Sequence, residues 1–321
     1  MGLVYHNGKF VPEDRIQKTD VSSRALLLLR SFLDKNEPGL VRFLVHTWNA
    51  QGKAITYKEL REAILAGDID PQWVDDWMQD YTRFVANHMQ PAWDKAIAAA
   101  VVELERKLPM WKFDPMGDAV RAWTATHSAA FIANVTTTQV EGLRAVVRRA
   151  AVLEDMSVDA LARAVRPMVG LTKQQAEANM RYFENLLDNG VSQKKAQDLS
   201  LRYSARQHRQ RGYTIARTEL ATAYNAGAYE GTKQAQAAGY LGKTVKVWCT
   251  ADDERVCSIC GSLEGKEASM DASFDGASRS WSTHLTAPAH PGCRCAIIYR
   301  EVEPPMPNSA TEQLKIQNIV V

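Results

Sequence analysis

Apolar residues recur at intervals of three and four along most of the first 240 residues, which is the spacing of helices with one buried face. Asp70-Pro71 has the form of a helix N-cap followed by proline at the first helical position. Beyond this start, the apolar and aromatic residues that share one face are Val74, Trp77, Tyr81, Phe84 and Val85. The pattern therefore predicts a helical N-terminal region with an aromatic-rich core.

Capping residues predict three further helix starts. Thr138 with Glu141 and Thr172 with Gln175 have the spacing of a capping box, in which each side chain satisfies a backbone N–H of the other residue. Ser157 precedes another stretch with helical periodicity and is a suitable N-cap. We expect a helix to begin at each of these three positions.

Two more helices are predicted before residue 240. The first follows Ser192 and is strongly basic. The second runs from about 213 to 238 and ends at Gly239, because glycine readily adopts the left-handed conformation that closes many helices. The apolar face of this long helix consists largely of small residues, which allow another element to approach closely.

The pattern changes after Gly239. Residues 244–250 alternate, with Val245, Val247 and Cys249 on one side, which predicts a half-buried strand whose apolar face carries these three residues. Residues 296–299 predict a second strand. About forty residues between the strands are rich in Gly, Ser, Asp and Pro and have little periodicity, so something other than an apolar core must hold so long a loop.

Composition narrows the class of protein. Hydrophobic residues make up 45% of the chain and charged residues 24%, which is typical of a soluble globular protein and argues against a disordered one. No apolar run approaches the roughly 20 residues that a membrane-spanning helix needs, and the N-terminus lacks a signal-peptide pattern. We therefore expect synthesis in a reducing cytoplasm and no membrane partner. The net charge of +2 leaves nucleic-acid binding undecided.

All five cysteines lie in the last quarter of the chain. Cys257 and Cys260 form a C-x-x-C knuckle, and a second cluster contains His290, Cys293 and Cys295. Two ligands on one tight turn face the same ion, and two such turns supply the four nitrogen and sulfur ligands of a tetrahedral zinc. The spacing predicts a structural zinc site that closes the long loop.

Five donors compete for four positions. The first choice is Cys257, Cys260, His290 and Cys293, with Cys295 as the alternative to Cys293, and Cys249 is interpreted as a core residue. A site with four protein ligands leaves no position for a reactive water, so no hydrolytic chemistry is expected. His284 stands near Arg279 and Asp275, but it has no identified nucleophile, and no catalytic residue is assigned.

The motifs resemble those of the Mu F-like head morphogenesis family of tailed phages, also called minor head or minor capsid proteins. The resemblance covers about residues 130–300 and rests most specifically on the cysteine clusters, supported by other short stretches. These stretches are Ile215-Ala216-Arg217-Thr218-Glu219, Tyr224-Asn225, Val247-Trp248, Asp252 through Cys260, and His290-Pro291-Gly292-Cys293-Arg294-Cys295. The resemblance implies a virion component that acts in head assembly near the portal, in few copies per particle, with portal or major capsid protein and packaged DNA as partners.

The sequence thus predicts a mainly α fold, α+β overall, with long helices followed by a small zinc-stabilised β-hairpin module at the C-terminus. The predicted segments are an irregular arm (1–20), a helical Trp-rich domain (21–115), the helical part of the Mu F-like module (130–240), its β-hairpin and zinc-knuckle part (241–300) and a Pro-rich tail (301–321). Within the arm, Asn7-Gly8 also has the form of a tight hairpin turn.

Charged residues of the same motifs suggest a network that joins the long helix to the zinc hairpin, because partly buried charges need partners. The proposed members are Arg217, Glu219, Asp252, Arg255 and Arg294.

Three functions compete at this point. The first is a structural, non-enzymatic head protein, and the second is a virion protein that binds nucleic acid through the basic helix. The basic residues of that helix are Lys194, Lys195, Arg202, Arg206, Arg209 and Arg211. The third, a zinc-containing nuclease or toxin enzyme, is the least favoured, because the loop offers no convincing set of catalytic partners.

Overall fold

The protein is represented by a computed structural model that describes residues 3–6, 9–12, 20–153, 156–251, 253–274 and 285–304. Its helices are α1 (Asp20–Ala54), α2 (Tyr57–Ala66), α3 (Pro71–Phe84), α4 (Gln90–Lys107), α5 (Asp118–Ala151), α6 (Val158–Val165), α7 (Lys173–Asp188), α8 (Gln193–Ala237) and α9 (Ser258–Gly261). A π-helical turn (Val85–Met89) joins α3 to α4, and a 3-10 turn (Arg166–Met168) follows α6. Its strands are β1 (Leu3–His6), β2 (Lys9–Pro12), β3 (Lys243–Cys249), β4 (Glu267–Ser269) and β5 (Ala296–Glu303). The predicted mainly α, α+β fold class is confirmed.

The helix starts that were predicted from capping residues are capped as expected in the structure, with one exception. Asp70 accepts a hydrogen bond from the backbone of Gln72 and caps α3, and Ser157 caps α6. Thr172 and Gln175 form a reciprocal capping box at the start of α7. The start predicted at Thr138 is wrong, because this residue lies inside α5 and its hydroxyl bonds to the carbonyl of Asn134, one turn earlier.

The chain forms two compact units, each assembled from separate stretches of sequence. Unit 1 contains residues 1–36, 93–120 and 217–321, and unit 2 contains residues 37–92 and 121–216. The sequence analysis instead divides the chain into consecutive segments, and those boundaries remain predictions. Within the predicted irregular arm, β1 and β2 pair in antiparallel fashion, as the hairpin pattern indicated, while Asn7 and Gly8 lie outside the described residues.

The two helices predicted on either side of residue 213 are a single helix of 45 residues, α8. Gly212 lies within it and is buried, and a Cβ there would approach the side chain of Val41 at 3.2 Å. Farther along, Gly227 lies so close to α4 that a Cβ would meet Ile97 Cα at 2.5 Å. The helix ends as predicted, with Gly239 in the left-handed region at φ 75°. Close packing therefore accounts for the glycines at positions 212 and 227.

A buried polar network organises the interior of unit 2. The indole of Trp48 donates a hydrogen bond to the Tyr81 hydroxyl (2.8 Å), which in turn donates to Gln139 (2.5 Å). His208 stacks on Trp48 and lies 2.8 Å from the carbonyl oxygen of Val169. Burial lowers the pKa of His208 to about 4, so its imidazole is neutral at neutral pH. Helices α1, α3, α5 and α8 all contribute side chains to this network.

The small sheet of unit 1 has the strand order β4-β3-β5, and all pairings are antiparallel. The predicted buried face of β3 is wrong: Lys246 and Trp248 are fully buried, whereas Val245 and Val247 are only half-buried. Cys249 is buried as expected.

A lysine can occupy this buried face because hydrogen-bond acceptors and aromatic rings surround its ammonium group. Lys246 Nζ donates to the carbonyl oxygens of Ala272 (2.7 Å) and Leu285 (2.8 Å), and it faces the rings of Tyr229 and Phe274. Burial lowers the pKa of Lys246 to about 8. The side chain thus ties the chain on either side of residues 275–284 to the sheet.

None of the helices in the described part of the chain combines the length and apolar character required to cross a membrane.

Candidate metal centre

The first half of the site is a tight knuckle at the start of α9. Cys257 is the N-cap of this short helix, and its sulfur accepts a hydrogen bond from the backbone N–H of Cys260 at 3.4 Å. This bond holds the two cysteines on one turn, so that both sulfurs face the same side. Cys260 is buried and Cys257 is half-buried.

The second half is the turn that leads into β5. The backbone N–H of Cys293 donates to the carbonyl of His290 at 3.1 Å, and Gly292 occupies the left-handed region at φ 74°. Cys295 directly precedes the strand, and both Cys293 and Cys295 are buried. The turn brings the imidazole and two thiols back against the knuckle.

The structure assembles the five donors into two overlapping groups, each with ligand atoms within 4.8 Å of one another. One group contains Cys257, Cys260 and His290, and the other contains Cys260, Cys293 and Cys295. His290 Nε2 lies 3.2 Å from Cys257 Sγ and 3.1 Å from Cys260 Sγ, and Cys260 Sγ lies 3.6 Å from Cys293 Sγ. Ligand atoms around one tetrahedral zinc are about 3.5–3.8 Å apart, given its usual bond lengths. The cluster therefore has dimensions that suit a metal ion.

The buried thiols are electrostatically coupled. The hydrogen bond between Cys260 and Cys293 raises the pKa of Cys260 and lowers that of Cys293, while the hydrogen bond to Cys260 raises the pKa of Cys295. A thiol binds a metal as the thiolate, so loading the site releases protons from this coupled group.

An apolar shell encloses the donors. The fully buried ring of Trp248 lies edge-on to Phe274, with centroids 5.2 Å apart, in the same cluster as Cys260, Cys293 and Cys295. An apolar surrounding excludes water and lowers the local dielectric, which strengthens binding of a cation by thiolates.

Two members of the charged network proposed from the sequence, Arg294 and Arg255, meet at one carboxylate. Arg294 forms two hydrogen bonds, of 2.5 and 2.6 Å, to the carboxylate of Asp253, and Arg255 lies 3.6 Å from the same group. The hydrogen bonds from Arg294 lower the pKa of Asp253 to about 2. Asp253 was not among the residues proposed from the sequence, and the proposed Asp252 lies outside the described residues, so its role stays a prediction.

Arg217 and Glu219 are half-buried on α8 and both have partners. Two uncharged neighbours of these residues connect α8 to the region of the donor cluster. Thr218 Oγ1 accepts a hydrogen bond from the backbone N–H of Gly292 (2.8 Å), and Asn225 Oδ1 accepts one from the N–H of Ile297 (3.1 Å). Both lie in the stretches that carry the family resemblance, which is the signal by which they could have been found. The ring of His284, together with Arg279 and Asp275, lies outside the described residues.

Five of the six basic residues assigned to DNA binding are exposed on α8: Lys194, Lys195, Arg202, Arg206 and Arg209. Arg211 is the exception, because it is only 5% exposed and its guanidinium donates to the carbonyl of Gly170 and to Thr138 Oγ1 at 2.6 Å. It also lies over the ring of Trp48. Arg211 therefore belongs to the interior of unit 2, and its assignment to a DNA-binding surface is corrected.

Three of the exposed arginines border a shallow groove between α7 and α8 with a volume of about 490 Å³. Its lining residues are Tyr182, Leu199, Arg202, Ala205, Arg206 and Arg209. In the part of the chain that the structure describes, none of these arginines forms an ion pair with a carboxylate. The groove thus presents positive charge that no carboxylate of the described residues neutralises.

Residues 146–298 match the family model described as Phage Mu protein F like protein. This region of the chain belongs to the Mu F-like family. The match includes all five donors of the metal cluster as well as Thr218 and Asn225. No curated protein and no solved structure matches the chain.

The match to the Mu F-like family model supports a phage head morphogenesis protein with capsid-related partners, and it implies a location in the virion. The predicted family and the predicted location are confirmed.

Proposed function

We propose that the protein is a minor structural component of a tailed-phage head that acts near the portal and contains a structural zinc ion. The observation that carries this proposal is the buried group of thiols and imidazole within the region that matches the family. Portal protein, major capsid protein or both are the proposed partners.

The donor set supports zinc as the ion. Thiolate and imidazole ligands in tetrahedral arrangement are typical of structural zinc sites, while calcium and magnesium prefer oxygen ligands. When bound, the ion would cross-link the α9 knuckle to the start of β5 and hold the long loop between β3 and β5. Cys257, Cys260, His290 and either Cys293 or Cys295 would hold it.

We also propose that the protein is not an enzyme. Four protein ligands leave no open coordination position at which water could be activated. The most perturbed groups outside the cluster, such as Lys246 and His208, are buried and bonded to backbone carbonyls. Their pKa shifts follow from burial in the interior rather than from an accessible cleft.

Assembled heads should contain the protein at a fixed, low molar ratio to portal. We expect it to be lost from heads assembled without portal, because the proposed docking surface would then be missing. Sedimentation of heads followed by quantitative mass spectrometry measures both ratios, with the major capsid protein as the internal reference. Equal incorporation with and without portal would contradict the portal contact, and absence from all heads would contradict the head function.

The arginine groove favours a second, compatible role in binding packaged DNA. Clustered arginines without a carboxylate partner among the described residues are suited to phosphate groups, and such contacts release counterions. We propose that the exposed basic face of α8 binds DNA without sequence preference.

This second role predicts a strong dependence on salt. With about five phosphates neutralised, the slope of log affinity against log salt should be roughly −4 to −5. Replacing three arginines by glutamine should flatten the slope by about two to three units, because each lost phosphate contact removes about one unit. The three are Arg202, Arg206 and Arg209. Fluorescence anisotropy with duplexes of unrelated sequence, measured across a salt series, provides both slopes.

A matched control removes the same charge elsewhere. Arg30, Lys35 and Arg42 are exposed on α1, and their replacement by glutamine should leave the slope nearly unchanged. If the two triple variants flatten the slope equally, binding follows total charge rather than this face of α8.

A further inference from the structure

The metal cluster holds one donor more than a tetrahedral ion uses. The two groups of three donors share only Cys260, so this sulfur lies at the junction of the whole cluster. A structural zinc takes four protein ligands, whereas the two groups together contain five donors. One thiol must therefore stay unbound next to a metal–thiolate centre.

Three of the four positions follow from the short distances. His290 Nε2 is within 3.2 Å of both knuckle sulfurs, so Cys257, Cys260 and His290 form one face of a coordination tetrahedron. The fourth position lies on the side of Cys260 where both Cys293 and Cys295 approach. Either of these two sulfurs can therefore occupy the fourth position next to Cys260.

The local backbone explains why two sulfurs reach the same place. Cys293 and Cys295 are two residues apart directly before β5, and both are buried while Arg294 between them is half-buried. This alternation is that of an extended backbone, in which side chains at this spacing point to the same side. The intervening Arg294 points the other way and is held by the two hydrogen bonds to Asp253. The ion pair therefore keeps both thiols turned towards the knuckle.

We propose that Cys293 and Cys295 are interchangeable fourth ligands: each completes the site when the other is lost, and the unbound thiol hydrogen-bonds to the sulfur of Cys260. This inference rests on the proposed structural metal site. A site of this kind stays loaded after one of the two thiols is mutated or blocked, which a site with four unique ligands does not.

The test compares Cys293→Ser, Cys295→Ser and the double variant, each purified with excess Zn²⁺ and then dialysed. Elemental analysis should find about one zinc per chain in the wild type and in both single variants, and none bound stoichiometrically in the double variant. X-ray absorption should show three sulfur ligands and one nitrogen ligand in both single variants. Competition with a chelator should show an affinity roughly 10- to 100-fold weaker, because the hydrogen bond from the unbound thiol is lost.

Cys249→Ser is the matched control, since Cys249 is a buried thiol of the same sheet that belongs to neither group. This variant loses a buried thiol but no metal donor, so it shows the effect on folding of losing a thiol alone. Its metal content should equal that of the wild type.

The outcomes separate this proposal from the zinc site itself. If one single variant loses zinc or its folded sheet while the other keeps wild-type affinity, only one cysteine is a ligand; the interchange is wrong and the zinc site stands. Stoichiometric zinc in the double variant also overturns the interchange. A wild-type protein that binds no metal overturns both.

Discussion

Replacing Cys260 by serine is expected to abolish metal binding and to unfold the sheet formed by β3, β4 and β5. Cys260 is the one donor that the two groups share, so its loss leaves Cys257 and His290 separated from Cys293 and Cys295. Binding of zinc to small structural sites contributes about 10–16 kcal/mol in isolated peptides, and this contribution is coupled to folding. Most of the stability of a loop-rich module is therefore expected to depend on the ion.

Elemental analysis and hydrogen exchange resolved by segment measure the two effects. Zinc should fall from about one per chain to a small fraction, and protection should be lost in β3 and β5. Amides of α5 and α7, which lie in unit 2, should keep their protection. Cys249→Ser serves again as the control that should retain zinc. Full retention of zinc in Cys260→Ser would refute the assignment of the knuckle.

Replacing Gly170 by alanine is expected to cost unit 2 several kcal/mol of unfolding free energy. Gly170 has φ +88°, and a Cβ at this position would lie 2.4 Å from Cγ of Trp48. Trp48 is 1% exposed, bonded to Tyr81 and stacked on His208, so it has little freedom to move. Left-handed backbone costs about 1–2 kcal/mol for a residue with a Cβ, and overpacking a core adds about 1–3 kcal/mol.

Comparison with Gly190→Ala separates the cost of the left-handed backbone from the cost of overpacking. Gly190 also has positive φ, at +76°, but a Cβ there meets nothing within 4 Å. Its replacement should therefore show only the backbone cost of about 1–2 kcal/mol. Urea unfolding monitored by tryptophan fluorescence gives both values. Equal losses in the two variants would show that Trp48 moves aside without penalty.

The charged contact near the donor cluster could not be predicted from the sequence. Asp252, Asp253 and Glu254 are adjacent acids in a loop without periodicity, so no pattern indicates which of them faces Arg294. The structure selects Asp253, because its carboxylate accepts both hydrogen bonds of that guanidinium. The pairing depends on how the knuckle loop lies against the turn before β5, which is a long-range contact.

The buried face of β3 illustrates the same limit for the fold. Alternation identifies a strand, and valines are ordinarily the buried set. Lys246 is buried instead because two carbonyl oxygens and two aromatic rings, distant in sequence, surround its ammonium group. Arg211 is a parallel case on α8: the basic residues nearest to it in sequence, Arg206 and Arg209, are exposed, and its partners come from α5 and from Gly170.

The features that the sequence determined by itself depend only on hydrogen bonds and turns between residues that are close in sequence. The caps at Asp70, Ser157 and Thr172 involve hydrogen bonds within a few residues, and the knuckle at Cys257 and Cys260 is a single turn. The tertiary structure alone decided the buried charges, the continuity of α8 and the division into two units. The physical reason is that a buried ion or an interior glycine is stabilised by partners from other elements, and the spacing of residues along one element carries no information about them.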